Sequence, residues 1–145
     1  MSDLDRDVID ACNELIRASE SAREELVATE LALRRAVELV ESGRPFTDGL
    51  RSFPVARRRE ATQTGIENLI RARHEFRLAF MERSIEDGLG PRELGEIWGV
   101  SRQRIDQYLQ ELKKRRLSEA DLGHTARQGN QASSADRVAT RTHKG

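Results

Sequence analysis

Residues 1–42 contain neither glycine nor proline, and their apolar side chains return at every seventh position. A stretch of that length without a breaker predicts one long helix, a rod of about 60 Å at 1.5 Å per residue. Val8, Leu15, Ala22, Thr29 and Ala36 form one track of the repeat, and Cys12, Ser19, Leu26, Leu33 and Val40 form the other. Leu4, Ala11, Ala18, Ala32 and Leu39 flank one side, and Ile9, Ile16 and Val37 flank the opposite side. A two-stranded coiled coil needs only a narrow stripe, so this width predicts a helix with more than one neighbour, a bundle and not a lone zipper. Ser2 followed by Asp5 has capping-box spacing, and Asp3, Asp5 and Asp7 suit the positive end of a helix dipole. Gly43 and Pro45 end the rod.

Gly43–Phe53 reads as a connector with turn chemistry, whose Phe46, Leu50 and Phe53 fold back over the end of the bundle. Pro54 opens a second long helix that reaches about Glu86, with Ile66, Leu69, Ile70, Phe76, Ala79 and Phe80 as its expected inner face, interrupted by Arg73. Gly65 costs this helix about 1 kcal/mol relative to alanine, which a close helix crossing would explain. The simplest topology is an antiparallel helical hairpin, with residues 1–53 as the first helix and connector and 54–87 as the second helix.

Aromatic residues make up only 4% of the 145, against 34% charged, which fits long solvated helices better than a sheet-containing fold. The zero net charge is unevenly spread: residues 1–53 carry 7 basic and 12 acidic side chains, and residues 54–116 carry 14 and 10. One cysteine, Cys12, excludes an intramolecular disulfide framework. No apolar run approaches the ~20 residues of a membrane span, and no signal-peptide core follows Met1, so a cytoplasmic protein with no membrane partner is expected.

Gly88–Leu112 carries the most specific pattern. Pro91 suits the first turn of a short helix, and Leu94 and Trp98 share one face of it. Gly95 leaves room for a crossing helix, and Gly99 permits the positive φ of a tight turn. Val100 fills the corner, and Ser101 caps a helix with Ile105, Tyr108, Leu109 and Leu112 on its inner face. Arg102, Gln103, Arg104, Asp106 and Gln107 then point outward, with side chains able to read base edges. A helix-turn-helix domain over 76–116 is expected, with the end of the second long helix as its supporting helix.

The segment LGEIWGVSRQRIDQ resembles the promoter-binding helix-turn-helix of primary bacterial sigma factors and of small actinobacterial regulators that share it. The resemblance covers roughly a fifth of the chain. It implies that Arg102, Gln103 and Gln107 approach bases and that Arg104 lies close to the DNA backbone. That family commonly has a glutamate at the position of Gln103 and a basic residue at that of Asp106, so the resemblance carries the fold and not the sigma factors' promoter target.

In the expected complex with double-stranded DNA, Arg102 and Arg104 take guanine, Gln103 and Gln107 suit adenine, and Ser101 grips a phosphate at the helix N-terminus. Lys113, Lys114 and Arg115, followed by Arg116, serve as phosphate contacts or as cations at a helix C-terminus, and both can hold at once. Residues 117–145, rich in small and polar side chains, are expected to form a disordered tail. His74, His124 and His143 are far apart, no metal-ligand spacing or catalytic pair occurs, and neither a cofactor nor an enzyme is expected. The expectation is therefore an all-α DNA-binding regulator, dimeric through its long helices and nucleoid-associated. The alternatives are an interaction protein for RNA polymerase or a sigma factor, and an architectural DNA-bridging protein.

Overall fold

The computed structural model describes the backbone of residues 1–135 and the side chains of residues 1–126. It is all-helical: α1 (Asp3–Glu41), α2 (Phe46–Ser52), α3 (Val55–Glu86), α4 (Pro91–Trp98) and α5 (Arg102–Ala135), with no strand among the described residues. The chain divides into two units at Gly88. Residues 76–87, expected to begin the second unit, belong to the end of α3 in the first.

In the first unit, α1 opens on a reciprocal cap. The Asp5 N–H donates to Ser2 Oγ at 3.1 Å, and the Ser2 N–H donates to Asp5 Oδ2 at 2.9 Å. At the other end Gly43 takes φ 81°, and the N–H groups of Ser42, Gly43 and Arg44 return to carbonyls of the last turn. Contacts between α1 and α3 run in opposite directions along the two helices. Arg83 Nε donates to Asp5 at 2.6 Å near the start of α1, Gly65 lies against Ala22, and Thr62 meets Thr29 at 3.4 Å further along it. The two helices are therefore antiparallel.

Small side chains lie where the two helices come closest, and the larger Leu78 and Met81 are fully buried toward the end of α3. Ala18 and Ala22 on α1 and Gly65 and Ala72 on α3 are buried. A Cβ built on Gly65 would stand 3.7 Å from the Ala22 Cα, so the backbones approach closely there. This corrects the inner face expected for α3: Leu69, Phe76 and Ala79 are half-buried, but Ile66, Ile70 and Phe80 are exposed, Ile70 by 62%. The physical reason is that small residues at alternating three- and four-residue steps let the helices come together along that line, which leaves the larger aliphatics outside it.

The connector contains a helix where turns were expected. Pro45 precedes α2, and Gly49 is the buried residue that brings α2 onto α1: a Cβ there would lie 3.0 Å from Val40 Cγ2 and 3.2 Å from the Ala36 carbonyl oxygen. Phe53 is half-buried, while Phe46 and Leu50 remain exposed.

In the second unit, α4 and α5 are joined by Gly99, Val100 and Ser101. The expected tail from residue 117 is corrected as far as residue 135, because α5 continues through it. Its side chains from Leu117 to Ala126 are all exposed, so leucine, glutamate and alanine propensity carries this part of the helix without packing. Residues 136–145, including His143, lie outside the described residues.

Candidate nucleic-acid interface

The second unit builds its geometry from α4 upward. Pro91 occupies the first helical position, and the Glu93 carboxylate accepts from the Gly90 N–H at 2.8 Å, which satisfies a donor at the helix start. Gly99 ends α4 in the left-handed region, at φ 60° and ψ 34°, which a side chain would strain. The Val100 N–H then donates to the Gly95 carbonyl at 3.1 Å and closes the turn. Ser101 Oγ accepts from the Arg104 N–H at 3.3 Å, capping α5. A hydroxyl accepting that bond keeps its proton as a donor, so Ser101 can still bond a phosphate oxygen.

Leu94 and Ile105 are fully buried, Tyr108 and Leu112 nearly so, and Trp98, Val100 and Leu109 are half-buried. These residues fix which side of α5 faces outward. At 100° per residue, Gln103, Gln107, Gln110 and Lys114 lie along the middle of the outward face. Arg102, Gln103, Arg104, Asp106 and Gln107 are all exposed.

Arg104 is held down along its own helix. Its guanidinium lies 5.0 Å from the centre of the Tyr108 ring, its Nε donates to the Tyr108 hydroxyl at 3.2 Å, and its Nη1 donates to Gln107 Oε1 at 2.9 Å. Two of the four base-reading candidates are thus bonded to each other, while Arg102 and Gln103 form the front of the helix. The i to i+3 and i to i+4 spacings of Arg104, Gln107 and Tyr108 are the sequence signal for this cluster.

The basic run is likewise sorted by the helix. Lys114 stands on the same face as Gln103, eleven residues and about 16 Å further along the axis. That exceeds the width of a major groove, about 12 Å, so Lys114 suits a phosphate at the groove edge. Lys113 flanks it. Arg115 turns toward the buried side and donates to Glu111 at 2.8 Å, which leaves it the weakest of the expected phosphate contacts. Arg92 on α4, exposed and paired with Glu96 at 3.2 Å, is a cation of this unit that the sequence reading did not single out.

In the first unit the Asp5 carboxyl is displaced from its ordinary range. The hydrogen bond from Arg83, joined by those from Ser2, holds it well below the usual aspartate range. Arg83, which also bonds Asp87, is correspondingly raised. This cluster ties the start of α1 to the end of α3. Among the described residues no group of histidine, cysteine and carboxylate side chains could hold a metal ion, and no helix is long and apolar enough to cross a membrane.

Compared with known proteins, the chain matches no family model, no curated protein and no solved structure.

Proposed function

We propose that this chain is a sequence-specific double-stranded DNA-binding protein, a bacterial transcription regulator that inserts α5 into the major groove as a helix-turn-helix and acts as a dimer through its long helices. The observation that carries this reading is the α4–Gly99–α5 corner, in which a buried Leu94–Ile105–Tyr108–Leu112 face turns the polar face of Arg102, Gln103 and Gln107 to solvent. Arg102 and Gln103 are the foremost base readers, and Arg104 and Gln107 join them as a bonded pair. Ser101, Lys113 and Lys114, with Arg115 less favourably aimed, position the helix on phosphates. Such a protein belongs with the nucleoid in the cytoplasm and needs no cofactor.

The test is anisotropy of labelled duplex DNA, titrated with the full chain at several salt concentrations. Phosphate-driven binding weakens linearly on a log–log plot, with a slope of about −0.9 per neutralised phosphate. Selection from a random duplex pool then yields a preferred site. Absence of duplex affinity at low salt removes the regulator reading. It would leave the second reading, a helical interaction protein for RNA polymerase or a sigma factor, which the exposed Phe46 and Leu50 beside Val37 favour. Bridging of two duplexes by one complex would instead assign an architectural role.

A further inference from the structure

One side of α1, beside the face that meets α3, is covered within the first unit only near its end, where α2 lies against Val37 and Val40. Ile9, Ile16, Leu26, Leu33, Val37 and Val40 lie on it, each between 39% and 55% exposed. With Cys12, Ser19, Arg23 and Glu30 interleaved, they recur at alternating steps of three and four residues from position 9 to position 40 without a break. That spacing is what a helix needs to face another helix along its whole length. α1 thus carries two seams. α3 covers the small-residue seam through Ala18 and Ala22, and the aliphatic seam stays open from Ile9 to Leu33 and half-exposed beside α2 at Val37 and Val40.

We infer that the open seam is covered by the same seam of a second copy of this chain, running antiparallel. Charge decides the direction. In a parallel pair, Arg23 would face Arg23 and Glu30 would face Glu30 in the middle of the seam. In an antiparallel pair, Ile9 lies opposite the partner's Val40, Cys12 opposite the partner's Val37, and Ile16 opposite the partner's Leu33. Arg23 then lies four residues, about 6 Å along the axis, from the partner's Glu30, within reach of its long side chain, and the symmetry repeats the pair. Glu30 already holds Arg34 of its own helix at 2.6 Å, and a carboxylate has acceptor sites for both.

The area is of the right order. The seam is about 47 Å long, and at a helix width of about 10–12 Å it supplies on the order of 500 Å² per copy. Phe46 and Leu50, beside Val37 and Val40, extend it toward the roughly 800 Å² per partner of a stable interface.

The pairing also sets the reach of the dimer. Its two-fold axis falls between residues 24 and 25 of α1, and the bond from Arg83 to Asp5 keeps the end of α3 at the start of α1. The two points at which the second units are tethered are therefore about 60 Å apart.

The interface is tested without DNA, so its failure and that of the DNA reading are distinguishable. Light scattering of the full chain at tens of micromolar should give twice the 16.5 kDa chain mass. Cys12 is the sole cysteine, so Val37→Cys places one new thiol opposite it only in the antiparallel register. Under mild oxidation the Val37→Cys variant should form a covalent dimer on a non-reducing gel, and the wild type should not. Within one chain the two positions are about 37 Å apart on a single helix, so the bond must be intermolecular. Val37 is half-exposed in the protomer, so the substitution leaves its packing intact. A single-chain mass overturns the second copy as occupant and gives the face to another partner. Cross-linking of the wild type through Cys12 overturns the antiparallel direction, and a dimer that cross-links in neither form overturns the register.

Discussion

Two glycines on helices of this chain should respond to the same substitution with opposite signs. Gly65 lies in the interior of α3 and Gly95 in α4, and replacing a helical glycine by alanine gains about 0.8–1.0 kcal/mol from backbone propensity alone. What each new methyl group meets differs. At Gly65 it stands 3.7 Å from the Ala22 Cα, an ordinary contact. At Gly95 it stands 3.1 Å from the Val100 carbonyl oxygen, an atom of the turn backbone that the Val100-to-Gly95 hydrogen bond holds in place. Overpacking of that kind costs about 1–3 kcal/mol.

Gly65→Ala should therefore stabilise the first unit by somewhat under 1 kcal/mol, raising its midpoint by about 3–6 °C for a unit of this size. Gly95→Ala should destabilise the second unit by up to about 2 kcal/mol, the strain exceeding the propensity gain. Trp98, the sole tryptophan, lies in the second unit, so its fluorescence reports that unit while far-ultraviolet circular dichroism follows the whole helical content. Urea titrations read by both signals, at equal protein concentration, separate the two effects. Gly65→Leu is the control: its side chain cannot fit against the Ala22 backbone and should reverse the gain. A loss of stability in Gly65→Ala would mean that α1 and α3 lie closer than 3.7 Å of clearance allows, and the small-residue seam would have to be redrawn.

Asp5 is depressed in the folded state by Arg83 and Ser2, so its contribution is present above the ordinary aspartate value of about 3.9 and lost as the pH falls below it toward the folded value. The stability difference between the wild type and Asp5→Asn should be flat near neutrality and shrink below about pH 4; a difference that persists at lower pH would show that the carboxylate's charge is not what stabilises the contact. Truncation after Arg116 should reduce the helical dichroism and leave the thermal midpoint unchanged, because the side chains from Leu117 to Ala126 are exposed; a falling midpoint would reveal packing along that segment. Arg102→Ala should cost about 1–3 kcal/mol on a selected site and relax preference at one base pair, whereas an equal loss on every sequence would reassign Arg102 to a phosphate.

Local rules were the most legible part of this chain. The Ser2–Asp5 cap, the breakers at Gly43 and Pro45, and the left-handed turn at Gly99 each depend on residues a few positions apart, and the backbone follows them. The connector shows where local reading stops: its turn chemistry speaks for turns, yet Phe46–Ser52 form α2, whose Gly49 lies so near the Ala36 carbonyl that a side chain there has no room. Residues 117–135 continue α5 for the complementary reason, since lack of apolar residues removes packing without removing helix propensity.

The repeat of α1 was visible at once, but its two tracks do not serve one face. Val8, Leu15, Ala22 and Thr29 join Ala11 and Ala18 against α3, whereas Leu26, Leu33 and Val40 join Ile9, Ile16 and Val37 on the open side. Nothing within residues 1–42 dictates that division. It follows from a residue about forty positions later: Gly65, with no side chain of its own, lets the alanine stretch of α1 come close at Ala22. The same choice leaves Ile9, Ile16, Leu26 and Leu33 uncovered, so the width of the stripe and the close approach at Gly65 are two expressions of one constraint: a helix that meets one neighbour along a stretch of small residues keeps part of its apolar width for another.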